Sequence, residues 1–241
     1  MFILRKLMKE NKVKRITSSL KPLLTEEQRN KRFDFCKSFI DPQTKIFCDM
    51  LNRIHIDEKL FYLKKEKGKY YLVDGERVPL RVTKSKRFIP KIMFLCAVAR
   101  PRWDSRKNQK WDGKIGIWPL ATKKPAVRAS RNRPAGTMET KPQLVTRNVI
   151  RDMLIGKVLP AIVEKWPESM RYHPLQIQQD NARPHIAAND KDWVDAVAAT
   201  GMDVQLVNQP PNSPDLNVLD LGLFSAIQAR QYKKIPSASM N

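Results

Sequence analysis

Cysteine is scarce in this sequence: Cys36, Cys48 and Cys96 are the three among 241 residues. An odd number at those spacings excludes a closed disulfide framework and lacks the paired pattern of a zinc site. The expectation is reduced, mostly buried thiols in a cytosolic or nuclear protein. Long apolar runs are also missing. None reaches the ~18 residues that span a bilayer, so no membrane partner is expected. Met1-Phe-Ile-Leu4 runs straight into Arg5 and Lys6, too short for the core of a signal peptide. There is no P-loop, no serine–histidine–aspartate order that suggests a nucleophilic triad, and no internal repeat.

Acid is what the middle of the chain lacks. Residues 81–141 hold 17 Lys and Arg against only Asp104, Asp112 and Glu139, inside a chain of net charge +22. A bias this large and local goes beyond a solvated face and points to a polyanion. Nucleic acid comes first, because phosphate neutralisation supplies most non-specific affinity. Lys84, Lys86, Arg87, Arg131 and Arg133 are the candidate DNA-binding residues within it. Trp103, Trp111 and Trp118 lie among these charges, placed either to stack on bases or to staple the segment down.

Hydrophobic content of 41% supports a real core. The length suits one domain of ~200 residues plus an extension. Residues 1–50 read as a basic helical arm with no core of its own. Leu4, Leu7 and Met8 mark an apolar face. Thr25-Glu-Glu-Gln28 is a capping box that opens a helix to about Phe39. Phe33, Cys36 and Ile40 would be its buried side, and Pro42 lies past its end.

Residues 51–235 read as one α/β domain. Ile54–Leu63 alternates as a first strand, and Lys69–Val73 with the turn Asp74-Gly75 reads as a second. Lys91–Ala99 is nearly continuous apolar, a strand buried on both faces. These three predict an antiparallel meander. Residues 100–145 form a basic, proline-rich, irregular insertion broken by Ile115–Trp118. Thr146 caps a long helix with Val149, Ile150, Met153, Leu154, Val158 and Ile162 on one side, kinked by Pro160. Leu175–Gln179 is a strand. Asn189 opens a short helix stopped by Gly201, Asp203–Val207 is a strand, and a last helix runs from about Val218 to Gln231. The order βββαβαβα predicts a mixed sheet with helices on both faces.

Three acids carry the chemistry. Asp57 sits on the first alternating strand. Asp180 stands where the strand Leu175–Gln179 stops. Asp220 falls in the first turn of the last helix, after the turn Pro210-Pro-Asn-Ser-Pro214. Each alone reads plainly, as a strand-end acid, a turn acid and a helix-cap acid. Three carboxylates on separate elements are what a Mg²⁺ site needs, with positions left for water and phosphate. Glu58 must face the other side of its strand from Asp57 and is at most a supporting residue. Asn181 and His185 flank Asp180. His185 either orients a phosphate or water, or is a structural histidine. Asp215 lies in the turn itself, where an Asp commonly bonds local backbone amides.

At these positions the sequence resembles the mariner-like transposases. The resemblance lies in His55-Ile-Asp57-Glu58-Lys59, in Gln179-Asp180-Asn181-Ala182-Arg183-Pro184-His185, and in Pro210-Pro-Asn-Ser-Pro-Asp-Leu-Asn-Val-Leu-Asp220. It covers roughly Ile54 to Gln228. It implies an RNase H-like fold and a DDE/D triad falling on Asp57, Asp180 and Asp220. It also implies two Mg²⁺ or Mn²⁺ ions, cleavage and strand transfer at transposon ends, a nuclear location and, by analogy with paired ends, a homodimer. Between Asp180 and Asp220 lie 39 residues, which resembles the plant-type branch. The arm resembles the linker behind the family's N-terminal helix-turn-helix. That region is not in this sequence, so the chain reads as truncated at its N-terminus. A domesticated or decayed chain that binds DNA without cutting it is the alternative.

Overall fold

The computed structural model describes residues 2–10, 12, 23–62, 77, 91–130 and 133–234. The expected strand at Lys69–Val73 with its turn lies outside them, as do Lys84, Lys86, Arg87 and Arg131. A mixed five-stranded sheet forms the centre. Its strands are β1 (Arg53–Tyr62), β2 (Lys91–Ala99), β5 (Lys114–Pro119), β8 (Leu175–Gln179) and β9 (Val204–Asn208), in the spatial order β5-β2-β1-β8-β9. β1–β2 and β2–β5 are antiparallel, while β1–β8 and β8–β9 are parallel. Among the described residues the antiparallel half of the sheet is β1, β2 and β5, and β5 is the short apolar run Ile115–Trp118 expected to break the insertion. Gly116 hides it, because a glycine interrupts the strand pattern. A Cβ there would stand 2.3 Å from the Trp118 ring, which lies across that position.

The alternation in β1 and β2 divides the core between two faces. Ile54 and Ile56 with Leu95, Ala97 and Ala99 face one side. There they meet the helix pair α3 (Arg147–Met153) and α4 (Leu159–Lys165), and α5 (Lys191–Thr200). Phe61 with Phe94, Cys96 and Val98 faces the other, against Leu219 and Phe224 at the start of α6 (Phe224–Lys234). Thr146 caps α3 by accepting from Val149 N–H, as expected. The expected kink is a π turn at Leu154–Val158 ahead of Pro160, which sits in the first turn of α4. The wider turn takes up the missing prolyl N–H before the chain resumes α geometry. Leu154, Val158 and Ile162 are completely buried. Leu154→Ala should cost ~3 kcal/mol, read from urea unfolding.

The start of α5 is capped by Asp190, not Asn189, and Gly201 ends it in the left-handed conformation. The insertion is not irregular. It holds two small ribbons, β3 (Arg102–Asp104) with β4 (Gln109–Trp111), and β6 (Ala121–Pro125) with β7 (Met138–Pro142). The first is stapled to the domain: the Arg102 guanidinium lies 4.8 Å from the Trp111 ring and 4.4 Å from that of Trp166. Trp111 and Trp118 pack against the main core, and Trp103 is exposed. Ser130 and Arg133 exchange backbone hydrogen bonds near the tip of the second ribbon.

The arm contributes α1 (Phe2–Lys9) and α2 (Glu26–Lys37). Thr25 and Gln28 make the predicted capping box. The inward side differs from expectation: Phe33 and Cys36 are exposed, and no residue of α2 is buried. Cys48 is exposed as well, leaving Cys96 as the buried thiol. Among the described residues, no helix is long and apolar enough to cross a membrane.

Candidate active site

Parallel register sets two of the acids side by side. His55 of β1 pairs with Gln178 of β8. Two residues further on, beyond the last ladder pair, come Asp57 and Asp180. Neighbouring strands lie ~4.8 Å apart, so these carboxylates leave the sheet at one level. Asp57 stands opposite Cys96 and so faces α6. The third acid arrives on that face. Asp220 sits in a π turn, Leu219–Leu223, that leads into α6, with Leu219 buried as its anchor. Asp180 and Asp220 line one open cleft of about 320 Å³ together with Asn181, Gln209 and the turn Pro210–Pro214.

The electrostatics follow from this crowding. Burial pushes the Asp57 carboxyl up to about 8, and the Asp220 charge adds to it. The Glu58 N–H, which Asp57 accepts at 2.7 Å, pulls the other way. Burial, then the Asp57 charge, raises the Cys96 thiol to about 11. Asp180 is lowered, first by its bond to His185. The His185 ring is buried and bridges two acids. Nδ1 lies 2.9 Å from Asp180 Oδ1, and Nε2 lies 3.2 Å from Glu58 Oε2. Burial alone would lower its pKa, but the Asp180 and Glu58 contacts together raise it to about 10. Held between the two acids, the ring favours its protonated form and ties β1 to the loop after β8. Glu58 does point away from Asp57, as the strand period requires, and supports the site through His185.

Neutral amides hold the frame, and sequence reading missed them. Gln178 Nε2 donates to Gln209 Oε1 and to the Leu216 carbonyl, each at 2.8 Å. Asn217 Nδ2 donates to the Ile56 carbonyl at 3.2 Å, and Asn217 Oδ1 accepts from Leu219 N–H at 3.0 Å. Asn217 thereby links the residue before Asp57 to the residue before Asp220. The available signal was the polar run Gln176-Ile-Gln-Gln179 inside a strand that must be buried. Asp215 corrects the expectation of a local amide bond. Its carboxylate instead takes both bonds from Arg32 of α2. Arg133, the described member of the candidate DNA-binding set, is paired with Glu139 across the second ribbon at 2.8 Å.

The donor set is one of hard oxygens of like charge, which suits Mg²⁺ or Mn²⁺ and not zinc. Burial, then the charge of Asp220, and after it those of Glu58 and Asp180, raise Asp57. As placed, Asp180 is turned onto His185, and among the described residues no three acids, histidines or cysteines are grouped so as to grip an ion. The residues fit such a group in kind and charge.

Solved structures show the same architecture. The Mos1 transposase paired-end complex with the left transposon end superposes with a TM-score of 0.61 at 19% identity, over 95% of this chain and 56% of that one. The pre-cleavage Mos1 transpososome gives 0.61 at 17% identity, over 97% and 58%. The Mos1 mariner paired-end complex with Mn gives 0.60 at 17% identity, over 95% and 56%. The fold is RNase H-like. This chain thus spans little more than half the length of those transposase chains. No protein-family model and no curated protein matches the sequence. In an RNase H-like sheet the C-terminal ends of β8 and β9 open onto the cleft, where open α/β sheets place their ligands.

Proposed function

We propose that the chain is the catalytic part of a mariner-like DDE/D DNA transposase that cuts and joins phosphodiesters at transposon ends. The observation that carries this reading is that Asp180 and Asp220 line one cleft of an RNase H-like sheet, while Asp57 on the neighbouring strand lies near enough to feel both charges. Asp57, Asp180 and Asp220 would hold two Mg²⁺ or Mn²⁺ ions. When bound, such ions activate the attacking oxygen and neutralise the leaving one. The chain's own residues do the rest. The amide frame fixes where the three carboxylates stand, and His185 with Glu58 orients Asp180. Asn181 and the Pro210–Pro214 turn wall the cleft against a DNA strand. In-line placement and charge supply the rate, since a phosphodiester offers no easy covalent route. The partner is double-stranded DNA in the nucleus, and two transposon ends call for a homodimer. Cleavage of end-containing duplex with Mn²⁺ tests the reading. DNA binding with no cleavage at any divalent concentration would favour the domesticated, non-catalytic alternative.

The second ribbon belongs to the DNA track in this reading. Lys123 and Lys124 are exposed on β6 and Arg128 on the loop beyond, and none has an ion-pair partner among the described residues. A two-stranded ribbon is also thin enough to enter a major groove. Replacing all three by Gln should weaken duplex binding and flatten the log–log salt slope by ~0.9 per lost phosphate contact. A titration across salt concentrations that returns the parent slope would remove the ribbon from the track.

A further inference from the structure

We propose that Arg32 of the arm is a positioning residue for the cleft: it clamps the turn that leads to Asp220 and so couples the arm to the chemistry. This rests on the transposase reading above and adds a control element to it. Arg32 Nη2 donates to both carboxylate oxygens of Asp215, at 2.9 and 2.7 Å. Its Nη1 donates to the Asn212 carbonyl and, at 3.3 Å, to Ser213 Oγ. One guanidinium thus grips three residues of a single turn, 180 or more positions away in sequence. That turn needs holding. Asn212 sits at φ +57, a left-handed conformation, between Pro211 and the buried Ser213. Pro211, Asn212, Ser213 and Pro214 all line the cleft with Asp180 and Asp220.

Among the described residues, the side-chain hydrogen bonds from α2 to the sheet domain all come from Arg32. Helix α2 buries none of its own residues. Beyond it, Phe39 is the buried foothold, under the Arg53 guanidinium at 4.4 Å from its ring. Between the arm and the sheet runs an open apolar groove, lined by Cys36, Phe39, Val98, Leu216 and Leu221. Hydrophobic packing therefore leaves the height of α2 over the cleft unset, and the Arg32 fork sets it. From the inside the same turn is held by Gln209 Nε2, which donates to the Ser213 carbonyl at 3.3 Å. With the outer hold released, the inner one remains, so the turn loosens without unfolding. A planar guanidinium whose two terminal nitrogens hold different groups fixes direction as well as distance, which a lysine cannot reproduce.

The test uses the whole chain, with Arg32→Gln, Arg32→Lys, Asp215→Asn and the swap Arg32→Asp with Asp215→Arg. Three quantities are read: hydrogen exchange over residues 209–221, kcat and KM for Mn²⁺-dependent cleavage, and duplex affinity. The first needs no activity. Each single variant should speed exchange in that segment and lower kcat on the order of tenfold to a hundredfold, at unchanged KM and unchanged duplex affinity. Arg32→Lys should fall between, and the swap should recover most of both losses. Unchanged exchange in the single variants overturns the clamp. Faster exchange with parental kcat overturns positioning and leaves a mere staple. A parent that binds but does not cleave defeats the transposase reading, and exchange with swap rescue then decides the clamp alone.

Discussion

Asp180→Asn should end divalent-dependent DNA cleavage, a loss on the order of a thousandfold or more, while duplex binding stays at parental affinity. The substitution keeps the shape of the side chain and removes a carboxylate charge from the cleft. The proposed DNA track lies elsewhere, so binding is expected not to change. The structure adds a modest cost that the sequence did not suggest. The variant loses the charged bond to His185, but His185 keeps Glu58 at 3.2 Å. The expected loss is ~1 kcal/mol, or ~3 °C in melting temperature for a chain of this size. Nicking by the purified variant at a rate near that of the parent would remove Asp180 from the chemistry. Asp220→Asn should behave like Asp180→Asn in cleavage. Asp215→Asn should retain measurable turnover, because its carboxylate is spent on Arg32.

Asp57→Asn should make the metal-free protein more stable at pH 8, by a few kcal/mol, with the gain vanishing toward pH 4. The sign follows from proton counting. In the folded chain Asp57 holds its proton up to about 8, whereas the unfolded carboxyl releases it near 3.8. Between those values the native state binds more protons than the unfolded one, so parental stability falls as pH rises. Asparagine cannot ionise and escapes that loss. Thermal melts of parent and variant from pH 4 to 8, in chelator, check it. Parallel curves would mean that Asp57 carries no such burden. Adding Mn²⁺ at pH 8 should then raise the melting point of the parent and leave the variant nearly unmoved.

The elements that carry the three candidate acids were legible because they rest on local periods. Asp57 lies within an alternating run, Asp180 follows the end of one, and Asp220 follows a proline-rich turn, so their elements could be placed from residues nearby. What failed depends on contacts between distant segments. The inward side of α2 was assigned by apolar spacing to Phe33, Cys36 and Ile40. The contact it makes is instead ionic, through Arg32, with a partner far along the chain. β5 was overlooked because Gly116 and Pro119 weaken a strand pattern that the β2 ladder and the core restore. The His185 contact with Glu58 joins residues 127 positions apart, and no spacing rule reaches that far.

The frame under the acids has a further property. Gln178, Gln179, Gln209 and Asn217 are nearly or wholly shut off from solvent, and none of them can gain or lose a proton. The carboxylates they support change charge state, and would do so again with every ion taken up or phosphate released. A scaffold of charged pairs would shift with each such event and with the salt around the DNA. An amide lattice does not register them. Acidity, ionic strength and turnover therefore act on the three acids and on His185, while the platform beneath keeps one geometry throughout the cycle.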